Sequence, residues 1–225
     1  MQIDVQRSSE RGTTKTTWLN SKHSFSFGNY FNPARMGFGL LRVLNDDIIE
    51  PGTGFPTHHH DNMEIVTIVL SGALEHKDST GGEGVIKSGE VQRMSAGRGI
   101  YHSEANPFKE PVHLLQIWVE TASEVAPSYE QKPVKIPTNT LAEVVGGKGL
   151  KINQDASFLL GKLEEGKEVE HAVRGGAYVF VISGKIQIGP YELAEGDAAG
   201  VTDARSVKIV AKEDSKILVI EVPME

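Results

Sequence analysis

The sequence of 225 residues predicts an all-β fold made of two tandem antiparallel β-barrels. Glycine (24 residues) and proline (10 residues) interrupt the chain throughout. The stretches between them are short, rich in β-branched residues and often alternate between apolar and polar positions. No stretch has the length and periodicity of a long amphipathic helix. A short internal repeat indicates that one arrangement of strands and turns occurs twice.

Four stretches are the clearest strands, because each is apolar, β-branched and bounded by Ser-Gly, proline or polar residues. They are residues 63–70, 112–119, 177–182 and 217–222. Two of them fall in each half of the chain, as two barrels require.

The repeat consists of a strand end and a later turn. Val-Leu-Ser-Gly at 69–72 recurs as Val-Ile-Ser-Gly at 181–184, and the turns Ser-Gly-Glu at 88–90 and Glu-Gly-Asp at 195–197 follow. The alternative is that Ser-Gly is simply a common turn after an apolar strand. Between the copies, three prolines cluster within 126–137. We therefore predict an amino-terminal domain at 1–125, a linker at 126–137 and a carboxy-terminal domain at 138–225.

Composition and charge exclude several classes of function. The net charge is −7 and the pI about 5.6, which is the wrong sign for direct binding to nucleic acid. No apolar run reaches the roughly 20 residues of a membrane helix, and residues 1–7 lack the apolar core of a signal peptide, so we expect a cytoplasmic protein without a membrane partner. Cysteine is absent, which leaves histidine and carboxylates as the strong metal ligands.

Two pairs of polar residues have the spacing of a metal site. His58 and His60 stand two apart at the start of a predicted strand, and His102 and Glu104 repeat that spacing. Side chains two apart on a strand share a face, so each pair can bind one ion, whereas His59 points the other way. For the histidine run alone, a solvent-facing cluster in a loop is the favoured interpretation. Together the four residues form a nitrogen and oxygen site that suits Fe(II) first, with Mn, Ni, Cu or Zn as alternatives.

The residues around these pairs resemble a known family. The pattern Gly52-x5-His58-x-His60-x3-Glu64, followed by Gly99-x2-His102-x3-Asn106, resembles the two cupin motifs. Further stretches resemble bacterial members of the pirin family of bicupins, and the resemblance is dense from about residue 12 to 120. These stretches are 23–30, 36–38, 41–47, 75–79 and 94–99.

The resemblance implies one divalent metal ion per chain, most simply iron, held by His58, His60, His102 and Glu104 in the first of two cupin domains. Pirin-like proteins include quercetin 2,3-dioxygenases, so it also implies an enzyme that opens a flavonol ring with O₂. In that reaction the flavonol 3-hydroxyl would enter an open metal position as its oxyanion, and Glu104 or a neighbouring carboxylate would accept the proton. The alternatives are an iron-binding regulatory protein with a protein partner and no turnover, and a cupin isomerase or small-molecule binder.

Other residues receive weaker predictions. Glu64 is interpreted as a residue behind the metal ligands, with a partly exposed strand position as the alternative. His113 is expected to be a hydrogen-bonded core histidine rather than a cavity residue, and His76 with Asp78 a turn-stabilising pair. The aromatic residues between Trp18 and Phe31 are expected to pack against the barrel rather than form a substrate box.

The second repeat lacks an equivalent ligand set. Alignment on the Ser-Gly turns places Glu170 and Ala172 where His58 and His60 stand, with His171 out of phase, and Ile209 and Ala211 opposite His102 and Glu104. The carboxy-terminal domain is therefore expected to carry no metal site. It would be structural, a surface for a partner or one wall of the cleft.

Overall fold

A computed structural model describes residues 1–122 and 124–225 and is built almost entirely of strands. One short 3₁₀ helix, Ser8–Glu10, follows the first strand. The first twelve strands are β1 (Gln2–Gln6), β2 (Gly12–Lys15), β3 (Leu19–His23), β4 (Leu41–Ile49), β5 (Thr53–His60), β6 (Met63–Ser71), β7 (Ala73–Asp78), β8 (Glu83–Lys87), β9 (Glu90–Ser95), β10 (Ile100–Asn106), β11 (Val112–Glu120) and β12 (Ser128–Pro133). The remaining nine are β13 (Thr140–Val145), β14 (Ser157–Leu163), β15 (Glu168–Ala172), β16 (Gly176–Ser183), β17 (Lys185–Ile188), β18 (Tyr191–Ala194), β19 (Ala198–Thr202), β20 (Ser206–Ala211) and β21 (Ser215–Val222).

The strands form two barrels, each made of a large and a small antiparallel sheet, which confirms the predicted fold class. The first barrel combines a seven-stranded sheet, β12-β9-β6-β11-β4-β3-β2, with a four-stranded sheet, β5-β10-β7-β8. The second combines a six-stranded sheet, β1-β19-β16-β21-β14-β13, with a four-stranded sheet, β15-β20-β17-β18. All four strands expected from the sequence are present, as β6, β11, β16 and β21.

Two strands cross the domain limits expected from the sequence. β1 pairs with β19, so the first residues complete the sheet of the second barrel. β12 lies inside the predicted proline-rich linker and pairs with β9 along its whole length. Local composition cannot reveal either pairing, because both join segments that are distant in sequence. We keep the two-domain division as a proposal, with β1 assigned to the second barrel and β12 to the first.

One hydrophobic cluster contains residues of both barrels and joins them. It includes Phe25, Leu44 and Ile117 from the first half and Phe158 and Tyr178 from the second. The Tyr178 ring lies 5.4 Å from the ring of Phe25, measured between centroids. Because this shared core is apolar and buried, the barrels are expected to behave as one rigid unit.

No helix in residues 1–122 or 124–225 is long and apolar enough to span a membrane.

Candidate metal site and cavity

The predicted histidine ligands lie on two neighbouring strands of the small sheet in the first barrel. His102 in β10 is the direct cross-strand partner of His58 in β5. His60 stands two residues after His58 and therefore shares its face of the strand. The register shifts by one residue between His102 and Glu104, where β5 contains Pro56. Proline lacks a backbone N–H for the ladder, so a bulge at this edge strand is the expected place for it.

The structure brings the three imidazoles together. Ligand atoms of His58, His60 and His102 all lie within 4.8 Å of one another. The Nε2 atoms of His58 and His102 are 3.0 Å apart. The rings of His58 and His60 are edge to face, with centroids 4.7 Å apart. Three nitrogen donors thus converge on one point, as a metal ion requires.

The protonation states of these histidines fit a metal ion. His58 Nδ1 lies 2.8 Å from the carbonyl oxygen of Pro56, to which it can donate a proton, so Nε2 is left with its lone pair toward the cluster. The Nε2 atom of His60 is buried and has no hydrogen-bond partner. Burial, reinforced by neighbouring imidazoles, lowers the pKa of His60 to about 4 and that of His102 to about 3. Neutral imidazoles with free lone pairs are the form that binds a metal.

Glu104 lies beside this cluster, and its ligand atoms group with His102 and His76 rather than with His58 and His60. Gln116 Nε2 donates to Glu104 Oε2 at 2.8 Å, and the Thr67 hydroxyl lies 3.4 Å from Oε1. A Cβ on Gly54 would clash with the backbone oxygen of Glu104, so only glycine lets β5 approach β10 this closely. The carboxylate is therefore held by two polar side chains that the sequence analysis did not identify.

His76 and Asp78 lie directly behind His102, which corrects their interpretation as a pair that only stabilises a turn. His76 Nε2 lies 2.9 Å from Asp78 Oδ2, and both side chains are fully buried. His76 Nδ1 is 3.5 Å from Nδ1 of His102. If Asp78 accepts the His76 Nε2 proton, His76 Nδ1 can accept from His102, and Nε2 of His102 faces the cluster unprotonated. Asp78 does also bond to the turn, through Thr80 and Gly82.

Replacing His76 with phenylalanine is expected to weaken metal binding by about 10- to 100-fold, the usual cost of losing an outer partner of a ligating histidine. The ring volume and its stacking on Tyr129, 4.5 Å away, are kept, whereas both nitrogens are lost. Competition against a chromogenic chelator measures the affinity. His113→Phe is the matched control, since His113 also bonds a carboxylate, Asp46, but lies outside the cavity. Equal affinity in His76→Phe and the wild type would show that His76 does not orient His102.

A cavity of about 400 Å³ opens beside the histidines, inside the first barrel. His58, His60 and Glu104 line one side, and Phe27, Phe55 and Trp118 contribute aromatic walls; every lining residue lies between Thr14 and Trp118. The cavity is thus formed without the second barrel, which excludes the expectation that this barrel forms one wall of the cleft.

Phe27 lines this cavity, which corrects the prediction that the aromatic residues between Trp18 and Phe31 only pack against the barrel. Its ring meets Trp118 edge to face at 5.4 Å.

Glu64 does not support the metal ligands, nor is it exposed. It is fully buried, accepts a hydrogen bond from Ser95 Oγ at 2.6 Å and bonds Asn153 of the second half. It therefore stabilises the junction between the barrels. Strand alternation did predict an inward side chain, but it could not tell which layer of the molecule the side chain enters.

His113 is half-buried. It lies on the same face of β11 as the core residues Leu115 and Ile117, and this face points away from the cavity. Its hydrogen bond to Asp46 raises its pKa.

In the second barrel, His171 lies 3.0 Å from Glu221, which also accepts two backbone hydrogen bonds. Within the described residues, both clusters of three or more ligand-type side chains lie in the first barrel.

Comparison with known proteins agrees with this arrangement. Residues 4–119 match the Pirin family, and residues 145–222 match the quercetinase C-terminal cupin domain. The chain is 38% identical to quercetin 2,3-dioxygenase of Escherichia coli K12 over 98% of this chain and 99% of that protein. It is 37% identical to a pirin-like protein of Caulobacter vibrioides, over 97% and 99% of the two chains.

Solved structures show the same fold. YhhW from Escherichia coli has a TM-score of 0.95 and 37% sequence identity, covering 99% of this chain and 98% of that one. The bacterial pirin YhhW in complex with nickel(II) has a TM-score of 0.94 and 36% identity, covering 99% of each chain. The convergent histidines, the two barrels and these full-length matches lead to one conclusion: the chain belongs to the pirin family and is a bicupin with the features of a metal-binding protein in its first barrel.

Proposed function

We propose that this protein is a metal-dependent dioxygenase that opens a flavonol-type ring with O₂, with one Fe(II) per chain held by His58, His60, His102 and Glu104. The observation that carries the proposal is the cavity of about 400 Å³ beside the histidines. Ligand pockets for drug-sized molecules are about 300–1,000 Å³ and mostly apolar, so a flavonol has room here. A purely regulatory metal site would need no such space.

The cavity walls suit a planar aromatic substrate. Phe27 and Trp118 present rings at right angles, which can pack on the face and the edge of a flavonol. Trp118 lines the cavity, and its Nε1 atom is buried without a hydrogen-bond partner. Both side chains would orient the substrate with its 3-hydroxyl toward the histidines.

The metal, when bound, supplies Lewis acidity and redox chemistry with O₂. The protein supplies the remaining steps. Glu104 both completes the ligand set and accepts the proton of the flavonol 3-hydroxyl. Its hydrogen bonds to Gln116 and Thr67 keep the carboxylate aimed at the cavity. The apolar walls limit the entry of water.

Glu104→Gln is expected to lower quercetin turnover more than it lowers metal binding. Glutamine keeps the shape and one oxygen ligand, but removes the charge and the basicity that a proton acceptor needs. Oxygen uptake and bleaching of the flavonol band measure turnover, and elemental analysis measures occupancy. The matched control is Glu50→Gln, which makes the same charge change at an exposed position at the end of β4. Gln116→Glu is unsuitable, because it would place two carboxylates together. Unchanged turnover in fully metallated Glu104→Gln would remove Glu104 from the role of base.

The proposal as a whole is tested by supplying the metallated protein with a panel of flavonols in air. Fe(II)-loaded protein should consume quercetin together with O₂, and parallel loading with Mn, Ni, Cu and Zn ranks the metals. Failure of every metallated form to consume O₂ with any flavonol would favour the regulatory alternative.

A further inference from the structure

Asp47 is a buried acidic residue that lines the same cavity as the histidines. Its side chain has a buried oxygen, Oδ1, without any hydrogen-bond partner, and the residue is only 3% exposed. A buried polar atom without a partner destabilises the fold. Such an atom calls for a reason, and on a residue that lines a cavity a polar group of a bound ligand is a candidate partner.

The two strands that flank Asp47 place no cation directly opposite it. Its cross-strand neighbours in the large sheet are Ser21 in β3 and Leu114 in β11. The adjacent Asp46 lies on the opposite face of β4, where it bonds Arg11 and His113. Burial therefore raises the pKa of Asp47 to about 7, although Ser21 and Arg11 oppose the rise. The two neighbouring carboxyl groups have different environments, and only Asp47 faces the cavity.

The register of the sheet places Asp47 away from the metal ligands. Gln116, which holds Glu104, pairs with Asn45 in β4, and Asp47 is two residues further along that strand. Two residues along a strand correspond to about 6.6 Å. A ligand that reaches both the histidines and Asp47 must therefore carry polar groups several ångströms apart.

We propose that Asp47 is a specificity-determining residue that accepts a hydrogen bond from a second hydroxyl group of a polyhydroxylated aromatic substrate. This inference rests on the proposed function, because it assumes that a flavonol-type molecule places its first hydroxyl at the histidines. His23 and Asn45 form the polar surface next to Asp47, but they are already bonded to each other at 2.8 Å. Asp47 Oδ1 has no partner in the protein, so we assign it as the acceptor for the second hydroxyl.

The test compares two ligands under argon, so that binding is measured without turnover. Quercetin carries further hydroxyls beyond the 3-hydroxyl, whereas 3-hydroxyflavone carries none. Calorimetry with metal-loaded protein should show that Asp47→Leu weakens quercetin binding by about 10- to 100-fold and leaves 3-hydroxyflavone within about twofold. Asp47→Asn keeps an acceptor oxygen and should retain part of the preference. Glu50→Gln should bind both ligands as the wild type does.

Thermal unfolding of the ligand-free protein provides the second measurement. Leucine removes an unsatisfied buried group, so Asp47→Leu should unfold at the same temperature as the wild type or higher. A large decrease would mean that Asp47 serves the fold, and it would overturn the inference. Equal losses for both ligands, no loss for either, or a wild type without preference for quercetin would also overturn it. Loss of O₂ consumption in air, with the binding preference intact, would count against the proposed dioxygenase activity alone.

Discussion

Replacement of His102 with alanine is expected to empty the metal site, the largest effect that the structure predicts. His102 lies between the other two histidines and Glu104, and it belongs to both clusters of ligand-type side chains. Its loss should therefore weaken binding by more than the 10- to 100-fold typical of an outer partner. Elemental analysis after gel filtration should fall from about one ion per chain to near zero.

His59→Ala is the matched control for this experiment. His59 stands between two proposed ligands but has 43% of its side chain exposed on the other face of β5. The variant should keep its metal, and so should His171→Ala in the second barrel. Full occupancy in His102→Ala, or two ions per wild-type chain, would contradict the ligand assignment.

Replacement of Tyr178 with alanine is expected to destabilise both barrels together by about 3–5 kcal/mol, the usual cost of removing a large aromatic ring from a core. The ring is fully buried and lies 5.4 Å and 5.5 Å from the rings of Phe25 and Phe38, measured between centroids. Both partners come from the first half of the chain, so the cavity left behind would open the shared core. Urea unfolding measures the loss.

Tyr178→Phe separates packing from hydrogen bonding. It removes only the hydroxyl, which donates to Gln6 Oε1 at 3.1 Å, and should cost about 0.5–1.5 kcal/mol. In both variants we expect one cooperative transition, because Tyr178 lies in the hydrophobic cluster that the two barrels share. Two separate transitions, of which only one shifts, would show that the barrels are stable independently.

Residues two apart on a strand could be assigned to one face from the sequence alone. Alternation placed His58 with His60 and His102 with Glu104, and the structure brings the three histidines together. The sequence could not place Glu104 relative to the histidines, because the bulge at Pro56 in β5 shifts the register between His102 and Glu104. A bulge depends on how two strands pair, not on the periodicity of either one.

The residues around the ligands were missed for a related reason. Gln116 and Thr67 are cross-strand partners in β11 and β6, but they lie 49 positions apart in sequence. Asp47 had a weak signal, since it shares one face of its strand with Asn45 while the intervening Asp46 lies on the other face. Such a signal becomes informative only once the neighbouring strands are known. For Glu64, alternation predicted an inward side chain correctly, but the side chain lies at the junction between the barrels and not behind the metal ligands.

Anomalous X-ray diffraction from crystals of the Fe(II)-loaded protein tests most directly whether the first barrel binds one ion through these residues. We expect a single peak per chain, within bonding distance of Nε2 of His58, His60 and His102 and of one oxygen of Glu104. A peak bonded to His76 and Asp78 instead, a peak in the second barrel, or no peak beside the cavity would contradict this account.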